Sequence, residues 1–117
     1  MKYEKIEKPW GYEMVLEQTE GYIFRFLHLN AGAAVSLQYH EHKTETLYIL
    51  KGNAEYTFQR PGEERTVRIV GPGDILHHEP YEIHRQRAIT DFEFLEVSSP
   101  DLADIIRLED DYNRGSH

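Results

Sequence analysis

The sequence predicts an all-β fold, a small barrel-like jelly roll, and three observations carry that expectation. Short runs rich in aromatic and β-branched residues recur at roughly 8–12-residue intervals. Clusters of Gly, Pro, Asn and Asp separate them. Within Ala54-Glu55-Tyr56-Thr57-Phe58 the apolar side chains alternate, as they must when one strand face is buried and the other is wet. About eight antiparallel strands this short have to close on themselves or stack as two sheets to remove their edges.

Taken in order, Tyr22 to Leu29 reads as a strand ending at Asn30-Ala31-Gly32. Ala34 to His42 reads as the next, followed by Lys43-Thr44, and Thr46 to Leu50 is stopped by Lys51-Gly52-Asn53. Ala54 to Phe58 runs into the turn Arg60-Pro61-Gly62-Glu63-Glu64, and Thr66 to Val70 into Gly71-Pro72-Gly73-Asp74. Ile75 to His78, Ile83 to Ile89 and Phe92 to Val97 complete the set, the last two parted by Thr90-Asp91. Ser99-Pro100-Asp101 reads as the cap of a short helical turn carrying Leu102, Ile105 and Ile106. Residues 1–20 form an N-terminal arm and 100–117 a tail around a single domain spanning 1–117.

A length of 117 residues suits one core and leaves too little chain for a second. With 39% apolar and 12% aromatic residues the interior can be filled, so the polar balance belongs to the surface and not to disorder. The formal net charge of −8 repels phosphate backbones and anionic lipid heads, which excludes nucleic acid and membrane surfaces as expected partners. Cysteine is absent, so disulfides, thiolate catalysis and Cys-based zinc sites are excluded. The start lacks the apolar run of a signal peptide, and no stretch approaches the ~20 apolar residues of a membrane span. The expected location is cytoplasmic.

The densest chemistry lies in His40-Glu41-His42-Lys43-Thr44-Glu45. Residues two apart on a strand share a face, so His40 and His42 can reach one point inside a barrel. Glu45 has the opposite parity on a continuous strand, and a turn at Lys43-Thr44 lifts that objection. His84, from a distant strand, supplies a fourth ligand. Imidazoles with a carboxylate suit one divalent metal ion, with zinc, manganese, iron, nickel and cobalt all compatible. Ordinary surface polarity is the competing reading for any single histidine, His28 among them.

Gly32, His40-Glu41-His42, Glu45 and Gly52 resemble the first motif of the cupin superfamily, and Gly73-Asp74 through His84 resembles the second. Lys8-Pro9-Trp10-Gly11-Tyr12-Glu13, Ser36-Leu37-Gln38-Tyr39-His40 and Ile106 to Arg114 are similar to the cupin domain of type II mannose-6-phosphate isomerases and their stand-alone relatives. The chain departs from the pattern at Tyr81, where glycine is usual, which implies a different turn, and at Ala88, where Asn is often found. Seven residues between Gly32 and His40, against five in the general pattern, agree with the isomerase-like branch.

The resemblance implies a double-stranded β-helix barrel and aldose–ketose isomerisation of a sugar or sugar phosphate, in which a bound metal stabilises the enediolate. A base outside the ligand set is then needed, and Glu79, His77 and His78 are the candidates. Which of them faces inward depends on register, since a one-residue shift reverses the answer. Lys43, Arg85, Arg87 and Tyr39 are the candidates for substrate contact. Exchange of an N-terminal strand within a homodimer is common among cupins, and Pro9-Trp10-Gly11-Tyr12 would anchor it; the same aromatics can instead plug the barrel end. Two other functions share the ligand set: a non-catalytic, metal-loaded carbohydrate-binding or sensory cupin, and an iron- or nickel-dependent dioxygenase.

Overall fold

The computed structural model describes residues 4–101 and 103–112. These form eleven strands and no helix: β1 (Ile6–Lys8), β2 (Gly11–Gln18), β3 (Ile23–Leu29), β4 (Leu37–Tyr39), β5 (Glu45–Lys51), β6 (Ala54–Gln59), β7 (Thr66–Val70), β8 (Ile75–His78), β9 (Ile83–Ala88), β10 (Phe92–Ser98) and β11 (Ile106–Glu109). Two antiparallel sheets face each other. Sheet A has the order β1-β2-β3-β10-β5-β8, and sheet B the order β11-β4-β9-β6-β7. Long returns such as β3 to β10 and β4 to β9 make this the jelly-roll barrel that the alternation predicts.

One end of the interior is apolar. Leu27, Leu29, Leu47, Ile49, Leu76, Phe92 and Phe94 come inward from sheet A, and Ala54, Tyr56, Val70 and Ala88 from sheet B. Burying each large side chain contributes about 1.5–3 kcal/mol, so this end supplies the bulk of the stability. Moving along the same strands by one inward position, the residues turn charged: Arg25 on β3, Glu96 on β10 and Glu45 on β5. The site occupies that other end.

The N-terminal arm lies on its own barrel. β1 pairs with β2 in the register Lys8↔Gly11, β2 with β3, and Trp10 is 5% exposed within the core of its own chain. After Ser99 no helix forms among the described residues. Asp104 N–H donates to Asp101 O at 3.2 Å and Ile105 N–H to Ala103 O at 3.0 Å, and the chain then runs on as β11 beside β4. Too few residues separate Pro100 from the sheet edge for a helix to repeat its hydrogen bonds. Leu102 lies outside the described residues. Among the described residues no helix is long and apolar enough to cross a membrane.

Two glycines in the left-handed region separate steric from conformational cost. Gly52 (φ +80) turns β5 into β6 with its Cα against the β9–β10 connection, where an added Cβ would stand 2.0 Å from Asp91 O. Gly62 (φ +78) turns β6 into β7 with nothing within 4 Å. Gly62→Ala is therefore expected to cost about 1–2 kcal/mol, the left-handed penalty alone. Gly52→Ala should cost clearly more, because backbone must also move. Urea unfolding of the two variants measures the difference, and equal losses would contradict the close approach at Gly52.

Candidate metal centre and cavity

Glu45 opens β5 with its carboxylate turned into the barrel, 4% exposed. His84 reaches it from β9 and His40 from just beyond β4, so the two sheets contribute jointly. Nε2 of His40 stands 3.3 Å from Glu45 Oε1, and Nε2 of His84 stands 3.2 Å from Oε2. One ligand atom from each of the three lies within 4.8 Å of the others.

The far sides of both rings fix their tautomers. His40 Nδ1 is 2.6 Å from Asp104 O, and His84 Nδ1 is 2.9 Å from Glu82 O. A carbonyl only accepts, so each Nδ1 carries the proton and donates. Each Nε2 is then left with a lone pair, buried and without a hydrogen bond, facing a carboxylate. Two lone pairs and an anion turned on one point repel one another unless a cation sits among them. The donor set, with the backbone carbonyls orienting the imidazoles from behind, can hold a divalent ion.

His78 completes the cluster from the dry side. It is fully buried on β8, with Nδ1 2.7 Å from Glu45 Oε2 and Nε2 2.6 Å from the Tyr56 hydroxyl. With a neutral ring, Nδ1–H donates to the carboxylate and Nε2 accepts from Tyr56. Burial, with His84 stacked 3.6 Å away, pushes this imidazole down to about 4, so it stays neutral. Burial opposes ionisation of Glu45, yet its carboxyl is held well below the usual range, with His78 Nδ1–H donating to it.

His42 does not join them. β4 ends at Tyr39, and the backbone then wraps around the Asp104 carboxylate, which accepts from the N–H groups of Glu41, His42 and Lys43 at 2.9, 2.6 and 2.9 Å. Desolvation of Asp104 is outweighed by those bonds, and its carboxyl is held below its ordinary value. Strand parity lapses at His40, so His42 is exposed and Lys43 turns inward, 3.3 Å from Glu45 Oε1. Of the candidate bases, the β8 register sends His77 and Glu79 outward, where they stand 3.5 Å apart and more than half exposed, and only His78 inward. Arg85 and Arg87 also point outward, held by Asp111 at 2.7 and 3.1 Å, since β9 buries the alternate residues His84, Gln86 and Ala88. Tyr39 stacks on Tyr81 and is not among the residues lining the cavity. Tyr81 holds φ at 68°, a conformation glycine adopts without cost, so the chain absorbs the bulky residue as strain at that position.

Beside the cluster opens a cavity of about 150 Å³. An alternating chain of charges runs along its wall: Lys8 to Glu13 at 3.1 Å, Glu13 to Arg25, Arg25 to Glu96, Glu96 to Lys43 at 4.0 Å, and Lys43 to Glu45. Burial works against the Arg25 charge, but Glu96 and Glu13 more than compensate and its pKa is raised. Gln38, Ser36 and Gln86 add neutral polar groups, and the Gln86 amide nitrogen is buried without a partner. Glu13, Arg25 and Glu96 escaped the sequence reading because both faces of β3, Ile23–Leu29, carry apolar residues, so alternation does not reveal which face is inner.

The chain belongs to the family described as mannose-6-phosphate isomerase C-terminal, whose model matches residues 1–110. No curated protein matches the sequence. Among solved structures it is similar to oxalate decarboxylase OxdC of Bacillus subtilis (TM-score 0.80, 21% identity), covering 91% of this chain and 30% of that one. A second structure of that decarboxylase, described for its Mn(II) centres, gives a TM-score of 0.76 at 19% identity, with 91% and 30% covered. KdgF from Halomonas sp. gives 0.72 at 21% identity, with 86% and 88% covered. A conserved protein with a double-stranded β-helix domain from Klebsiella pneumoniae gives 0.69 at 25% identity, with 91% and 85% covered. The fold is thus the cupin double-stranded β-helix, and the chain spans under a third of the decarboxylase.

Asp104 orients His40 through its carbonyl and the following turn through its carboxylate. Asp104→Ala keeps that carbonyl and removes only the carboxylate that anchors the backbone of Glu41, His42 and Lys43, so it is expected to weaken divalent-ion binding about 10-fold, the low end of the usual cost of disturbing a ligand's outer support. His42→Ala should leave it unchanged. Isothermal titration with Mn(II) or Zn(II) measures both, and a larger loss at His42 would contradict the outward placement of that ring.

Proposed function

With membership of that family as the premise, we propose that the protein is a metal-dependent sugar or sugar-phosphate isomerase, interconverting an aldose and its ketose. The observation that carries this reading is the convergence of His40 Nε2, His84 Nε2 and the Glu45 carboxylate beside a cavity whose wall includes His40 and Glu45 together with further acids and bases. Those three residues would hold the ion. Bound there, a divalent ion supplies Lewis-acid polarisation of adjacent carbonyl and hydroxyl oxygens. Mn(II) is the first metal to test, because the structurally similar decarboxylase is described with Mn(II) centres.

The remaining work falls to the chain's own side chains. Isomerisation moves one proton from C2 to C1 and one from the C2 hydroxyl to the C1 oxygen, with no net gain or loss. A carboxylate at the cavity, uncommitted to the ion, is needed for the carbon-bound proton. Glu79 and His77 are too exposed and outward for this, and His78 stands behind Glu45. Glu96 lines the cavity and is 4.0 Å from Lys43. Glu96 takes the C2 proton and returns it to C1, while Lys43 donates a proton from its ammonium to the C1 oxygen and, as the amine, takes one from the C2 hydroxyl, so that both residues end as they began. Gln86 and Gln38 orient hydroxyls, and Arg25, clamped between two carboxylates, holds Glu96 in place.

Solvent-deuterium incorporation tests the proposal. Protein loaded with Mn(II), Zn(II), Fe(II), Ni(II) or Co(II) is incubated in deuterium oxide with aldoses and ketoses, phosphorylated and free. Label at C1 or C2 is expected with at least one metal, and Glu96→Gln should lower the rate by about 100-fold or more while the metal stays bound. A metal-loaded protein that binds these sugars yet exchanges no proton with any of them would make it a non-catalytic carbohydrate-binding cupin. Oxygen consumption with Fe(II) would make it a dioxygenase.

A further inference from the structure

The cations on the cavity wall are already matched by carboxylates on the same wall. Lys8 meets Glu13 at 3.1 Å, Arg25 meets Glu13 and Glu96, and Lys43 meets Glu45 at 3.3 Å and Glu96 at 4.0 Å. Arg107, which lines the cavity from β11, is engaged within the chain as well. Two of the carboxylates, Glu13 and Glu96, stand on the wall outside the metal ligands. A phosphate dianion only accepts hydrogen bonds, and here it would have to lie beside both of them. Like charges brought together in a desolvated site repel strongly.

Hydrogen-bonding capacity remains in single groups instead. The Gln86 amide nitrogen and Arg25 Nε are buried donors without an acceptor. Ser36 Oγ donates to Gln38 Oε1 at 2.7 Å and keeps its own lone pairs, and the carboxylates of Glu13 and Glu96 accept. A ligand on this wall must therefore donate at some points and accept at others, as a row of hydroxyls does. Trp10, Leu27, Val35 and Phe94 line the same space with apolar surface, which fits the C–H faces of a sugar. The volume, about 150 Å³, falls below the ~300–1,000 Å³ of pockets for drug-sized ligands, so the occupant is small.

We infer that the cavity takes a neutral, unphosphorylated sugar of monosaccharide size and selects against its phosphate ester through Glu13 and Glu96. The inference rests on the isomerase reading and narrows the substrate from a sugar or sugar phosphate to the free sugar. Gln86 and Arg25 donate to hydroxyl oxygens, and the hydroxyls donate in turn to the carboxylates. Discrimination then comes from repulsion as much as from attraction. Glu13 has the larger part in it, because it also holds Lys8, the half-buried rim cation that an incoming phosphate would meet first. Arg85 and Arg87 offer no substitute, since both point outward and are held by Asp111.

Isothermal titration of the full chain loaded with Mn(II) or Zn(II) compares aldoses and ketoses with their own phosphate esters. At least one free sugar is expected to bind about 10-fold or more tightly than its ester. Glu13→Gln removes one repelling carboxylate and releases Lys8, and should narrow that preference at least about 10-fold. Gln86→Met, which deletes the unpartnered amide, should weaken the free sugar about 10-fold. Esters that bind as well as the free sugars overturn the inference, as does a panel in which no free sugar binds. A folded Glu13→Gln variant that keeps the full preference overturns it too. Far-UV circular dichroism reports folding, and should Glu13→Gln not fold, the wild-type comparison carries the test alone. Deuterium exchange separates the two readings. Label entering only the esters keeps the isomerase and overturns the free-sugar assignment, whereas free sugars that bind preferentially without acquiring label overturn the isomerase and leave the assignment standing.

Discussion

A carboxylate sealed inside a barrel has to be surrounded by donors or cations, and Glu45 sets that requirement for the whole charged end of this protein. At 4% exposure it is met by the His78 N–H from one side and by the Lys43 ammonium from another, while the Nε2 lone pairs of His40 and His84 face it and leave room for a cation. The demand then propagates. Lys43 is itself buried and draws in Glu96, Glu96 draws in Arg25, and Arg25 draws in Glu13, until Lys8 reaches the solvent at the rim. Each inner member has a partner on either side, so removing one weakens the pairing of two neighbours without leaving either wholly unpaired; losing Arg25, for example, would leave Glu96 with only Lys43, 4.0 Å away.

That arrangement inverts the usual polarity of a sheet on half of the barrel. On β3 and β10 the inward residues include Arg25 and Glu96, while the outward ones are Phe24, Phe26, Leu95 and Val97. The inversion is tolerable because the same strands, one or two positions further on, bury Leu27, Leu29, Phe92 and Phe94 in a dry core. Stability is concentrated at one end so that the other can hold polar groups at fixed separations. A family resemblance fixes the shape of the barrel, but this division between ends, written in particular side chains, is what makes the cavity chemically specific.

How far the sequence foretells this depends on what each residue's neighbours are. Strand alternation and turn residues suffice for an all-β barrel, and the spacing of His40, Glu45 and His84 brings forward the three side chains whose donor atoms the fold gathers. His42 shows the limit. Its placement depends on a bond between three amides and Asp104, some sixty residues away, and no local pattern announces that contact. The same bond turns Lys43 inward, so Lys43 faces the cavity by backbone geometry and not by strand parity. His78 is legible as a chemically interesting residue yet not as the partner of Glu45, because that pairing is set by the β5–β8 register, Glu45↔His78. Glu13, Arg25 and Glu96 look like ordinary surface charges until their strands are closed into a barrel. β1 and β11 were hidden for a related reason: short edge strands gain their definition from the sheet they join.

The turn between β8 and β9 shows how the orientation of the histidines is maintained. Tyr81 occupies a left-handed conformation that costs a side-chain-bearing residue about 1–2 kcal/mol. In that conformation its N–H donates to His40 O at 2.7 Å, and the Glu82 side chain accepts from Glu79 N at 2.8 Å while pairing with Arg60 at 3.2 Å. The Glu82 carbonyl is then directed at His84 Nδ1. One strained turn thus ties the backbone of one histidine and the ring of the other. Tyr81 also stacks on Tyr39, the residue preceding His40, which offsets part of the strain with aromatic contact that glycine cannot offer. Relaxing the turn would loosen the backbone at His40 and the ring of His84 together, so the strain is the cost of keeping two imidazole lone pairs on a common point.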